Sequence, residues 1–182
     1  MIRKDREMSK EFGLNVIDES MFGTMSIIDE EGKPYSVPLS LVRDGENLYF
    51  HGAKQGKKID CIRHSQDVHL VFVNYCKVPR VMTEEQIENA TPRELGSKVF
   101  TMEFQSAEAT GIIGEVVDKE EKMKALRLIC EKYTPDLMKF FEKASVPSLD
   151  RTAIYKIEMK EITAKRKKFD KHGDEMKFGR ME

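Results

Sequence analysis

Two turn signals set close together, Asp29-Glu30-Glu31-Gly32 and Asp44-Gly45, restrict what this chain can fold into more than any other feature. They separate three runs with strand character: Phe22 to Ile28, where small residues alternate with large ones, then Pro34 to Val42, then Asn47 to His51. Asp-Gly supplies the positive backbone φ that a tight hairpin needs, so the runs read as three antiparallel strands in succession, a meander. A doubly wound parallel sheet needs long crossovers and is excluded. Pro38 has no N–H for a ladder, which puts its strand at a sheet edge or a bulge and leaves neighbouring backbone groups to face a ligand.

Further strands follow. In Val68 to Tyr75 one face carries Val68, Leu70, Phe72 and Asn74, and the other His69, Val71, Val73 and Tyr75. A strand apolar on both faces belongs at the centre of a sheet or at an interface. Val99 to Val117 resumes the β signal, with Gly111 and Gly114 marking bends or a bulge, and Thr152 to Thr163 completes the sheet.

Helical signals are fewer. Lys57 to His64 suits a short helix, and Met123, Leu126, Ile129, Cys130 and Tyr133 recur at helical spacing after Lys119. Thr134-Pro135 breaks and restarts that helix, with Thr134 as cap and Pro135 in the first helical position. Leu137, Met138, Phe140 and Phe141 then form a second apolar face that reads as core. Between residues 79 and 98 lies a polar excursion, a lid or dimer arm, with helix starts at Thr83-Glu84-Glu85-Gln86 and Thr91-Pro92-Arg93-Glu94. Residues 1 to 12 read as a charged lead-in, mobile or partly helical, with Phe12 and Leu14 as the first apolar anchors, and Asp18 is a candidate helix cap.

The 182 residues suit one domain, and a net charge of −1 gives no global attraction to nucleic acid or membrane. No apolar run approaches a membrane span and the first residues lack a signal peptide's apolar stretch, so the expectation is a cytoplasmic protein. Cys61, Cys76 and Cys130 are expected to be reduced, mostly buried and inert, and their spacing offers no metal site. The terminal run Lys165-Arg166-Lys167-Lys168 reads as a solvated basic end, so the chain divides into a domain over residues 1–165 and a basic tail over 166–182.

Any anion site must then be local, and the stretch from Tyr49 to Ile59 is the candidate. There a strand signal breaks into a loop with Gly52 and Gly56, followed by Lys57 and Lys58 at a helix start. Glycines let backbone N–H groups approach an anion, and lysines beside the positive end of a helix dipole add charge. That is how a phosphate is held. The competing reading is an ordinary strand-to-helix connection with solvated lysines.

Taken together, Gly23-Thr24-Met25, Pro34-Tyr35-Ser36-Val37-Pro38-Leu39, Tyr49-Phe50-His51-Gly52-Ala53 and Gly56-Lys57-Lys58 resemble the nitroimidazole-resistance reductases, within the pyridoxamine 5′-phosphate oxidase-like flavoproteins. Ser106-Ala107-Glu108-Ala109-Thr110-Gly111 extends the resemblance, which covers about residues 1 to 165. It implies a mainly β, antiparallel split β-barrel with flanking helices that binds FMN in a groove between the subunits of a homodimer. It assigns Lys57 and Lys58 to the FMN phosphate, with His51, Gly52 and Ala53 at the matching strand end, and counts Gly56 before the lysines among the cofactor-binding residues. It sets Pro38, Leu39 and Ser40 beside the isoalloxazine ring, preceded by Ser36 and Val37, and adds Ser106 from the later strand. The chain departs from the family in having no Trp, in a Lys-rich tail without the substrate-holding Arg and His pattern, and in Gln105 at the usual arginine position. Vitamin B6 oxidation is therefore not expected.

The activity implied is an FMN-dependent oxidoreductase passing electrons from NAD(P)H to a small electron-poor substrate such as a nitroimidazole or other nitroaromatic. The alternatives are a non-enzymatic flavin- or heme-binding protein for storage, sensing or electron transfer, and an apo structural dimer. No nucleophile triad is visible, and none is needed where a flavin ring performs the redox chemistry. His51 is the candidate catalytic side chain, because a neutral imidazole can donate or accept a hydrogen bond; otherwise it is a satisfied strand residue.

Overall fold

The computed structural model describes residues 2–181, which form an eight-stranded sheet with flanking helices. The strands are β1 (Glu7–Met8), β2 (Gly23–Ile28), β3 (Pro34–Leu39), β4 (Val42–Asp44), β5 (Asn47–Gly52), β6 (Asp67–Lys77), β7 (Glu103–Glu115) and β8 (Ala153–Lys167). The helices are α1 (Lys10–Glu19), α2 (Lys57–His64), α3 (Glu84–Glu88), α4 (Pro92–Glu94), α5 (Lys119–Tyr133) and α6 (Phe141–Ser148). This is the mainly β, antiparallel class expected, with β2–β3, β2–β6, β4–β5, β5–β8 and β1–β8 all antiparallel pairs.

The chain packs as two compact units. One comprises the chain up to Glu19, Val73–Glu108 and the chain from Thr163; the other comprises Ser20–Phe72 and Ala109–Ile162.

In the second unit both hairpins form where the turn residues require them. Gly32 and Gly45 take φ of 77° and 62°, and the Asp29 carboxylate accepts from the N–H groups of Glu31 and Lys33 to close the first turn. The meander does not form, however. Along the sheet the order is β3-β2-β6-β7-β8-β5-β4, so the two hairpins lie at opposite ends of the path. Turn chemistry determines each hairpin, but the placement of a hairpin in the sheet depends on distant partners, here β6 and β8. Pro38 sits on β3 at the end of this path, where its missing N–H costs no ladder bond.

Strand β6 is interior to the sheet, as its two apolar faces suggested. Val68, Leu70 and Phe72 are buried, whereas Val71 and Val73 are exposed. A second layer comes from α5, which begins at Asp118, whose carboxylate accepts from the Glu121 N–H. Ala125, Leu126 and Ile129 at helical spacing pack with Val42, Tyr49, Val116, Phe141 and Ile154. After Tyr133 the chain restarts at Pro135 as a 3-10 segment, Pro135–Phe140. Thr134 occupies the cap position but its hydroxyl donates back to the Cys130 carbonyl, so it does not cap the new turn.

In the first unit, α1 buries Gly13, Val16 and Ile17, and Asp18 lies inside this helix instead of capping one. The charged lead-in takes the partly helical form, with a 3-10 turn at Lys4–Arg6 and the start of α1 on either side of β1. Both capping boxes of the 79–98 excursion form, at Thr83 with Gln86 and Thr91 with Glu94. The basic run is not solvated: β8 continues to Lys167, and Arg166 and Lys167 are 2% and 5% exposed. Lys167 donates to Thr101 Oγ1 and the Ser97 carbonyl, while Glu103 accepts from the Phe169 N–H at 2.7 Å. Cys76 is exposed, contrary to expectation, whereas Cys61 is buried.

Gly111 is fixed by packing alone. A Cβ on Gly111 would lie 2.7 Å from the Glu158 carbonyl oxygen, a backbone atom of β8 that has nowhere to move. At Gly114 a Cβ would meet nothing within 4 Å. Gly111→Ala should therefore lower stability by about 1–3 kcal/mol. Gly114→Ala should stay within about 1 kcal/mol of the parent. Urea midpoints measured with unchanged slopes check both.

Candidate functional site

Strand β5 organises the site because side chains alternate across it. Leu48, Phe50 and Gly52 belong to one face, and Asn47, Tyr49 and His51 to the other. On the first face the Phe50 ring stacks on Tyr155 of β8, with centroids 5.1 Å apart, and the Tyr155 hydroxyl donates to the Ala53 carbonyl at 3.3 Å. These contacts hold the loop after Gly52 against β8.

The loop ends at Gly56, whose φ of 107° excludes side chains, and α2 starts there without a side-chain cap. The N–H groups of Lys57 and Lys58 head this helix and have no carbonyl one turn earlier to accept from them. Ile59, Cys61 and Ile62 anchor the helix in the core, which fixes where the two lysines emerge.

The lysines diverge. Lys58 folds back over the strand end, its Nζ 5.0 Å from the Phe50 ring centroid and 3.1 Å from where a Gly52 Cβ would be. Any side chain at residue 52 would crowd that ammonium. Burial pushes the Lys58 pKa down, and no carboxylate among the described residues opposes it. Lys57 instead reaches Asp29 Oδ2 at 3.1 Å, with its Nζ 5.7 Å from the Tyr35 ring centroid. The hydrogen bond to Asp29 raises its pKa. The depression beside Lys57 is also lined by Asp29, Glu30, Glu31 and Asp60. Four carboxylates around one lysine make that side negative, unfavourable for a phosphate.

The other expected site residues are distributed as follows. Ser36 lies on β3, opposite Ser26, and the two hydroxyls are 2.8 Å apart. Val37 is half-buried, Pro38 and Ser40 are exposed, and Leu39 is buried. Gly52, Gly56 and Lys58 come together around the start of α2, with exposed Ala53 in the loop between. Ser106 is half-buried on β7 and belongs to the other compact unit. His51 is exposed on the opposite face of β5 from Gly52, where it lines a cavity beside α5 and α6. Asp29, Phe50 and Tyr155 were missed as parts of this region. For Asp29 the available signal was the turn it opens; the pairing of Phe50 with Tyr155 had no local signal.

With this geometry in view, the comparisons with known proteins assign a family. The family model for pyridoxamine 5′-phosphate oxidase matches residues 11–166, and the chain belongs to that family. No curated protein matches the chain. Among solved structures, a candidate 5-nitroimidazole antibiotic resistance protein from Bacteroides thetaiotaomicron is 24% identical, over 87% of this chain and 84% of that one, with a TM-score of 0.68. A flavocytochrome from Azotobacter vinelandii is 18% identical, over 88% and 68% of the two chains, with a TM-score of 0.69. An FAD and heme binding protein from Mycobacterium smegmatis is 13% identical, over 89% and 73%, also at 0.69. The shared fold is the split β-barrel class implied by the sequence resemblance. No helix among the described residues is long and apolar enough to cross a membrane.

The Asp29 carboxylate is the part of this region with a clear pH signature. Hydrogen bonds from the Lys33 and Glu31 N–H groups and from Lys57 hold its pKa below 3.8 in the folded chain. A depressed carboxylate stabilises the fold above its unfolded pKa and loses that contribution as pH falls through the folded value. Asp29→Asn should therefore melt lower than the parent near neutral pH, and the gap should close below 3.8. Thermal melts across an acid series measure it.

Proposed function

We propose that this chain is an FMN-dependent oxidoreductase that takes electrons from NAD(P)H and reduces a small electron-poor molecule such as a nitroimidazole. The observation that carries the reading is Lys58, a half-buried ammonium without a carboxylate, set over a strand-end glycine at the start of a helix. A buried cation without a counter-charge is costly, and an incoming phosphate relieves that cost through charge-assisted hydrogen bonds from Nζ and the helix N–H groups. The chemistry of this donor set fits FMN. Bound flavin would supply the electron transfer, while Gly52, Ala53, Gly56 and Lys58 would hold its phosphate end. Ser36, Val37, Pro38, Leu39 and Ser40 on and after β3 are assigned to its ring. His51, on the opposite face of β5 from Gly52, is given no part in holding the flavin. Family membership supports the flavin, and likeness to the Bacteroides protein supports the nitro-compound.

A homodimer belongs to the same reading. Phe22, Ile28, Val71 and Ile112 on or beside strands of the second unit are 58%, 47%, 37% and 37% exposed, an apolar surface that a second copy would cover. The competing reading is a flavin or heme carrier, supported by the likeness to the flavocytochrome and to the FAD and heme binding protein. Anaerobic NAD(P)H should bleach the flavin-loaded protein, and a nitroimidazole should restore the colour. Flavin that stays oxidised under NAD(P)H would establish the carrier instead.

Lys58→Ala should weaken flavin retention about 10- to 100-fold, the equivalent of one charge-assisted hydrogen bond of roughly 1.5–3 kcal/mol. Lys57→Ala should change it less than about threefold, because that lysine serves Asp29. Flavin absorbance after dialysis distinguishes the two; equal losses would return Lys57 to the phosphate. The mass in solution tests the dimer, and a stable species at 21.1 kDa would exclude it.

A further inference from the structure

The cavity beside His51 has a composition that specifies a ligand class. It measures about 420 Å³ and is walled by Leu126, Ile129, Leu137, Met138, Phe140 and Phe141, on α5, the 3-10 segment and the start of α6. Among the described residues no aspartate, glutamate, lysine or arginine lines it. Four hydroxyls do, but each already donates to a backbone carbonyl: Thr134 to Cys130, Ser145 to Phe141, Ser148 to Ala144 and Thr152 to Ser148, at 2.8–3.1 Å. The His51 imidazole is the lining group with strong hydrogen-bonding capacity that has no partner among the described residues.

Such a wall excludes charged ligands, because a carboxylate or ammonium would lose its hydration without a counter-charge. An uncharged apolar body is accepted, and one polar group on it can meet the imidazole. A cavity of about 150 Å³ holds a single benzene ring, so this one accommodates two or three fused or linked rings. Strand alternation sets His51 and the cavity on the opposite face of β5 from Gly52 and Lys58.

We propose that this cavity is a binding site for small uncharged aromatic molecules bearing one hydrogen-bonding group, with His51 as the group that fixes their orientation. It is separate from the anion site at Lys58 and stands without the flavin reading.

The probe is N-phenyl-1-naphthylamine, a neutral arylamine whose fluorescence rises in apolar surroundings, compared with 8-anilinonaphthalene-1-sulfonate, the same skeleton carrying a charge. Titrated into the whole purified chain, with and without FMN, the neutral probe should saturate at one site per chain. The sulfonate should bind at least tenfold more weakly. Ala144→Phe, which fills the cavity, and Leu137→Asp, which puts a charge on its exposed wall, should each weaken the probe at least tenfold and leave flavin absorbance unchanged. His51→Ala should weaken it about three- to tenfold. Equal binding of the two probes, no saturation, or no effect of either cavity variant in folded protein overturns the proposal. Displacement of the probe by FMN overturns it as well, since the cavity would then belong to the flavin. Uptake that disappears when copies associate makes it an interface and likewise removes the proposal. Flavin lost from Lys58→Ala with probe binding intact is the expected separation of the two sites.

Discussion

The pairing of β5 with β8 is the constraint from which the rest of the second unit follows. Six residues, Asn47 to Gly52, stand in register with Glu158 back to Ala153. That register brings Tyr155 against Phe50 and delivers its hydroxyl to the Ala53 carbonyl, so the loop leading to α2 is tied to the sheet as the strand ends. It also sets Tyr49 beside Lys156, and both meet the same oxygen of Glu121 on α5, at 2.8 and 2.9 Å. Two donors on one carboxylate oxygen join helix to sheet at that point. A slip of one residue would turn Gly52 and Phe50 to the helix side and destroy the seat of Lys58.

The same strand separates two chemical environments. Its Gly52 face carries an unopposed cation, and its His51 face opens on an apolar cavity. Alternation keeps them apart by geometry alone, without any loop or domain boundary between them. Adjacent residues can therefore have unrelated roles, and closeness in sequence is a poor guide to a shared site on a strand. The lysine pair makes the same point on a helix. Consecutive residues there point about 100° apart, so Lys57 and Lys58 meet different surroundings, one negative and one bare.

The first unit shows how a basic run can be interior. Lys167 is a short step from Arg166 on β8, and both would ordinarily be solvated. Here the ammonium of Lys167 is satisfied by Thr101 and Ser97, and Arg166 donates to the Arg180 carbonyl and to the Met181 sulfur. Burial lowers the pKa of each. Such groups are tolerated because carbonyl and hydroxyl acceptors replace the water they lose.

Local chemistry was legible in the sequence: the two tight hairpins, both capping boxes, the break at Thr134-Pro135, the edge position of Pro38 and the interior position of β6. Each depends on residues within a few positions of one another, so periodicity, φ preference and capping determine it without reference to the rest of the chain. The glycine-and-lysine stretch from Gly52 to Lys58 was legible as an anion candidate for the same reason. Long-range pairing decided everything else. That the hairpins sit at opposite ends of the sheet, that Asp29 claims Lys57, that His51 turns away from Lys58 and that Arg166 is buried all depend on partners far along the chain. No local pattern encodes those partners, because they exist only once the strands have found their neighbours.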